Sequence, residues 1–135
     1  MPTVDAAFAV LCSYLGLTAR DLAEIGKFSE RFARDLLAGR RSFPKDVQQA
    51  LLDLRGLVPK IHEALYRDVL SGELTIYIFR TVEQLRSSPI GDIWPNAYLG
   101  LYRVAAFQVM DRCNREERPI QLVFAETPAV GDDAG

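Results

Sequence analysis

The segment LTARDLAEIGKFSERFARDLLAGRRSFPKD, residues 17–46, decides how this chain is read. Thr18 is the residue type that caps a helix N-terminus, and it precedes a short apolar run containing Leu22, Ala23 and Ile25. Gly26 and Lys27 read as a tight turn. Ser29 then caps a second helix, on which Phe32, Ala33, Leu36 and Leu37 are spaced to face inward. Gly39 fits the position just past that helix, where a left-handed backbone is common. Two short helices, a Gly-containing turn and a small Ala at the helix contact are the unit that DNA-binding proteins place in the major groove. The expected role is therefore regulatory and not catalytic.

The charge distribution points the same way. The whole chain of 135 residues carries a net charge of −2. Between Lys27 and Lys45 stand six basic residues (Lys27, Arg31, Arg34, Arg40, Arg41, Lys45) and two acidic ones (Glu30, Asp35), a local +4 that leaves −6 for the rest. An acidic body with one basic face suits a protein that meets DNA on one side. Charge alone also fits a plain solvated helix face.

Outward from this segment the pattern stays helical as far as Leu70. Residues 4–15 read as a first helix with a stripe of Val4, Phe8, Leu11, Cys12 and Leu15, and with Asp5 in its first turn. Pro44 opens a fourth helix with Val47, Ala50, Leu51 and Leu54 on its apolar side, and Gly56 ends it. Pro59 lies in the first turn of a fifth helix carrying Ile61, Leu65, Val69 and Leu70. After Ser71 and Gly72 the period changes. Residues 74–79, LTIYIF, read as a strand, with both faces partly buried. Thr81 to Arg86 can form a short helix, and residues 87–92 read as a loop. Pro95 starts a long helix to about Arg115, with Tyr98, Leu101, Tyr102, Ala105, Val109 and Cys113 on one face. Ile120 to Phe124 reads as a last strand, and residues 127–135 as a flexible tail.

The predicted fold is thus mainly α with a small α+β C-terminal part: a five-helix helix-turn-helix domain (1–71) followed by a strand-helix-helix-strand unit (72–126). An isolated pair of strands is marginal in water. The second unit therefore needs the helical domain or a second copy of the chain, and a homodimer is expected. Ile76, Ile78, Phe79, Tyr98, Tyr102 and Val123 are its candidate interface residues.

Read in this way, the chain resembles the helix-turn-helix autorepressors associated with anti-CRISPR genes in phages and mobile elements, within the phage-repressor-like group. The resemblance rests on Ser29, Arg31, Gly39, Arg40, Pro44, Asp46, Val47 and the LLDL segment at residues 51–54. It resumes in SGELTIYIFRTVEQL and in the order of loop, long helix and strand that follows. It implies a homodimeric transcriptional repressor that binds an inverted-repeat operator and controls its own operon. The turn before Ser29 is one residue shorter than that group's, and Phe-Ala-Arg-Asp replaces its aromatic-rich recognition segment, so operator sequence does not transfer.

On the second helix of the motif, Arg31 lies in the first turn, where its fork can reach guanine O6 and N7. Arg34 suits a base or a phosphate equally. Glu30 can accept from cytosine N4 or simply complement the helix dipole. Lys27, Ser29, Arg40, Arg41 and Lys45 are candidate phosphate contacts. His62 stands alone beside Glu63, no Cys or His has metal-ligand spacing, and no Gly-rich phosphate loop follows a strand, so neither an enzyme nor a cofactor nor a metal is expected. Cys12 and Cys113 read as buried thiols of a cytoplasmic protein. The aromatic cluster of Trp94, Tyr77, Phe79, Tyr98, Tyr102 and Phe107 could stack on RNA bases, but its positions favour core and dimer packing. The rival reading is an antitoxin-like or adaptor protein whose C-terminal unit grips a different protein.

Overall fold

The computed structural model describes residues 5–126. Val4 and the tail at 127–135 lie outside them. The chain is mainly helical with one two-stranded sheet. Five helices come first: α1 (Ala7–Tyr14), α2 (Ala19–Gly26), α3 (Glu30–Leu37), α4 (Lys45–Arg55) and α5 (Leu57–Leu70). Then follow β1 (Thr75–Ile78), α6 (Val82–Arg86), α7 (Pro89–Ile93), α8 (Leu99–Arg115) and β2 (Gln121–Phe124). The strands are parallel, with Thr75 opposite Gln121 and Ile78 opposite Phe124. Parallel pairing needs a long crossover, and α6, α7 and α8 supply it.

Local chemistry explains most boundaries. Thr18 and Asp21 form a reciprocal capping box at the start of α2, each bond 3.0 Å long. Thr81 caps α6 by accepting from the Gln84 N–H at 3.1 Å. Asp5 precedes α1 instead of lying in its first turn, and accepts from the Ala7 N–H at 2.8 Å.

Two expectations change. Residues 89–93 form α7 where a loop was expected, because Pro89 stands in its first turn with φ already set for helix. Gly91 in α7 lies so close to the end of α6 that a Cβ would come within 2.2 Å of the Arg86 carbonyl oxygen. The long helix α8 begins at Leu99 and not at Pro95. The crossover thus holds three helices instead of two.

The two halves share one hydrophobic core. Helix α5 presents Val58, Ile61, Leu65 and Val69, and packs along α8, which presents Leu101, Ala105, Ala106 and Val109. The N-terminus of α8 also closes on the turn between α1 and α2. A Cβ on Gly100 would come within 2.2 Å of the Leu15 carbonyl oxygen and 2.6 Å of that of Gly16. Gly16 itself adopts a left-handed backbone, φ +66°. Only glycine allows both this approach and this turn.

Polar seams reinforce the junction. Along α5 and α8 the Tyr66 hydroxyl donates to Glu116 at 2.5 Å, and the Arg112 guanidinium lies 3.6 Å from the centre of the Tyr66 ring. Cys12 and Cys113 are buried free thiols, and burial pushes the Cys12 thiol up to about 11. No helix among the described residues is long and apolar enough to cross a membrane.

Candidate nucleic-acid interface

Helix α3 is held to the domain by its buried side. Ala33 and Leu36 are fully buried, and Phe32 and Leu37 pack partly against the core. Ser29 caps the helix, its hydroxyl accepting from the Phe32 N–H at 3.0 Å. Glu30, Arg31 and Arg34 are left on the exposed side.

The turn from α2 to α3 spans Lys27 to Ser29, and its chemistry differs from the expectation. Gly26 is the last helical residue of α2, and Lys27 takes the left-handed conformation at φ +58°. Gly26 serves a packing purpose. A Cβ there would come within 2.0 Å of the Phe28 ring. That ring packs edge-on to Phe32, with centroids 4.8 Å apart. An aromatic pair thus fixes the start of α3 beneath its exposed face.

The basic residues are not equivalent. Arg31, Arg34, Asp35 and Arg40 line one shallow depression. Arg34 faces Glu30 at 3.9 Å, both exposed. Arg40 donates to Asp35 at 3.2 Å, and Arg41 stands 4.0 Å from the same carboxylate while covering the Phe32 ring at 5.5 Å. Asp35 thereby holds the segment after α3 against that helix, a role the sequence reading did not assign to it. Exposed pairs of this kind contribute about 0–1 kcal/mol each, so they position the arginines without consuming their charge. Arg31, Lys27 and Lys45 are exposed and have no carboxylate within 4.0 Å among the described residues. Gly39, at φ +79°, turns the chain so that Arg40 and Arg41 return toward Asp35.

The expected interface residues fall in two groups. Ile76, Ile78, Tyr98 and Tyr102 are buried within one chain as members of the shared core, and the Tyr102 hydroxyl donates to the Tyr77 carbonyl at 2.8 Å. They are therefore core residues and leave no surface for a second copy. The reason is the parallel crossover, which lays one sheet face and α8 together. Phe79 is half-buried, with its ring 5.1 Å from that of Tyr102. Val123 is exposed, and its partner across the sheet is Tyr77, also exposed. The two side chains form an exposed apolar pair on the outer face of the sheet.

A contact missed in the sequence ties α2 to the C-terminal half. Glu24 accepts from the Tyr98 hydroxyl at 2.6 Å and from Arg86 at 3.2 Å, across 74 and 62 residues of chain. These bonds hold the Glu24 carboxyl below its ordinary range, and burial pushes the Tyr98 hydroxyl up to about 12. His62 is similarly absorbed into structure, with Nδ1 3.2 Å from Gln108 and Nε2 3.2 Å from Arg112. No group of three His, Cys, Asp or Glu side chains among the described residues could hold a metal ion. A comparison of the sequence with protein-family models and with curated proteins returns no match.

Proposed function

We propose that this chain is a sequence-specific DNA-binding repressor of the cytoplasm, acting as a homodimer on an inverted-repeat operator and controlling its own operon. The carrying observation is α3, a helix capped by Ser29 and anchored by Ala33 and Leu36, with an exposed and unpaired Arg31 in its first turn. In the helix-turn-helix docking mode α2 crosses the backbone and the first turn of α3 enters the major groove. Arg31 then reads a guanine edge, and Arg34 and Glu30 lie beside it. Lys27, Ser29, Arg40, Arg41 and Lys45 contact phosphates and set register. The likeness to anti-CRISPR-associated autorepressors supports the same reading. The exposed pair of Tyr77 and Val123 on the outer sheet face suits a second copy of the chain, which supplies the second α3.

The test is a binding titration on DNA from upstream of the chain's own gene and on scrambled DNA, with circular dichroism as folding control. Arg31→Ala is expected to lose about 1–3 kcal/mol per half-site and to relax preference at one symmetric base position. Arg40→Ala is expected to weaken all sequences alike and to reduce the salt slope. A folded Arg31→Ala protein that keeps the wild-type preference would refute base readout by this residue.

A further inference from the structure

Away from α3, a cleft of about 540 Å³ runs between α2 and the C-terminal half. That volume lies within the roughly 300–1,000 Å³ of small-molecule sites. Four arginines line it: Arg20, Arg80, Arg86 and Arg103. Arg86 is committed to Glu24. The other three have no carboxylate within 4.0 Å among the described residues.

Arg80 and Arg103 are nevertheless held in place. Arg80 Nε donates to the Ala125 carbonyl at 3.3 Å, and Arg103 Nη2 donates to the Phe79 carbonyl at 3.1 Å. Their guanidinium carbons lie 4.7 and 5.8 Å from the centre of the Phe124 ring. Carbonyls and a ring fix these two cations while leaving their charge uncompensated. Three acidic residues share the walls. The Asp21 carboxylate is occupied by the Thr18 N–H, and that of Glu24 by Tyr98 and Arg86. Four arginines thus face three carboxylates, a small positive excess, and the Arg20 charge also acts on Glu24.

We propose that this cleft binds a small polyanion, a molecule bearing two or more carboxylate or phosphate groups, through Arg20, Arg80 and Arg103. Guanidinium forks match both oxygen geometries with paired, charge-assisted hydrogen bonds. The bound anion bridges α2 to the C-terminal half, so it stabilises the folded chain by mass action. It occupies the seam that sets how α2 sits on the rest of the molecule.

Binding is measured calorimetrically and by thermal unfolding of the full chain, without DNA, using citrate and pyrophosphate against sodium chloride at matched ionic strength. Citrate, pyrophosphate or both should raise Tm above the chloride control. Preference between the two identifies carboxylate or phosphate chemistry, and comparable binding assigns the site to charge number. Arg20→Gln is the decisive variant, because Arg20 is exposed and makes no hydrogen bond or ion pair within 4.0 Å among the described residues. It should weaken binding roughly tenfold or more, the loss of one charge-assisted contact. Arg80→Gln should do the same, whereas Arg31→Gln on α3 should bind as wild type. No shift beyond chloride, unchanged affinity in Arg20→Gln, or equal losses in Arg20→Gln and Arg31→Gln would each overturn the proposal. Because DNA is absent, the outcome is independent of the reading of α3.

Discussion

Replacing Gly100 by alanine probes the junction between the two halves. A Cβ there would stand 2.2 Å from the Leu15 carbonyl oxygen and 2.6 Å from that of Gly16, where ordinary contact begins near 3.4 Å. The shortfall is therefore about 1.2 Å against main-chain atoms, which no rotamer change can relieve. The turn cannot yield cheaply either, since Leu17 N–H is bonded to Cys12 and Leu15 N–H to Leu11. Relief requires α8 to withdraw, which loosens Leu101 and Ala105 against α5. Overpacking of this kind costs about 1–3 kcal/mol. Alanine recovers at most about 1 kcal/mol of helix propensity, and less than that in the first turn. With about 0.5 kcal/mol recovered, the net loss of roughly 0.5–2.5 kcal/mol corresponds to a Tm lower by roughly 2–10 °C for a domain of this size. Thermal unfolding by circular dichroism measures it, with the exposed Asn114→Ala on α8 as a control near wild type. Gly16→Ala should be destabilising as well, and the double variant should lose less than the two singles combined, because both relieve one contact. A Gly100→Ala protein as stable as wild type would refute the close approach of α8 to this turn.

Lys27→Gly should raise stability by about 0.5 kcal/mol, the relief of a left-handed side chain less the extra freedom of the unfolded chain, while lowering DNA affinity. A melting curve and a DNA titration on the same sample test both signs. Burial pushes the hydroxyls of Tyr98 and Tyr102 up to about 12, above the ordinary 10. Their contribution to stability is therefore complete below pH 10 and is lost as pH rises toward 12 and the unfolded chain ionises first. Chemical denaturation across that window should show the decline, and Tyr102→Phe should flatten it. On the outer sheet face, Tyr77→Glu with Val123→Glu should convert the proposed dimer to a folded monomer by light scattering; a monomeric wild type would refute the dimer, and an unchanged dimer would place the interface elsewhere.

What the sequence makes legible here is local. Ser29, Thr18 and Thr81 cap their helices because a side-chain oxygen meets an N–H two or three residues on, and that chemistry needs no tertiary knowledge. The five N-terminal helices follow from apolar periodicity for the same reason. Gly26 and Lys27 read as the turn; Lys27 makes it with its positive φ, whereas Gly26 ends α2 and leaves room for the Phe28 ring. Pro89 and Gly91 read as loop signals, yet one starts α7 and the other lets it close on α6. Tyr98 and Tyr102 read as apolar-face residues suited to either core or dimer packing, and only the tertiary fold buries them within one chain, against Glu24 and Tyr77. The Glu24, Arg86 and Tyr98 cluster joins three distant segments and leaves no periodic trace.

The parallel pairing of β1 and β2 also orders events in time. Strand β1 has no hydrogen-bonding partner until β2 has been made, and the whole of α6, α7 and α8 separates them. Closing so long a loop before any strand contact rewards it is slow, whereas α1 to α5 make contacts between near neighbours in sequence. On a ribosome α1 to α4 can therefore begin to assemble early, α5 waits for α8 to cover its apolar side, and the sheet closes only after residue 124 has emerged. An outer face containing Tyr77 and Val123 exists only in the finished chain. In the proposed dimer, pairing of two copies through that face is therefore postponed until β2 has been made.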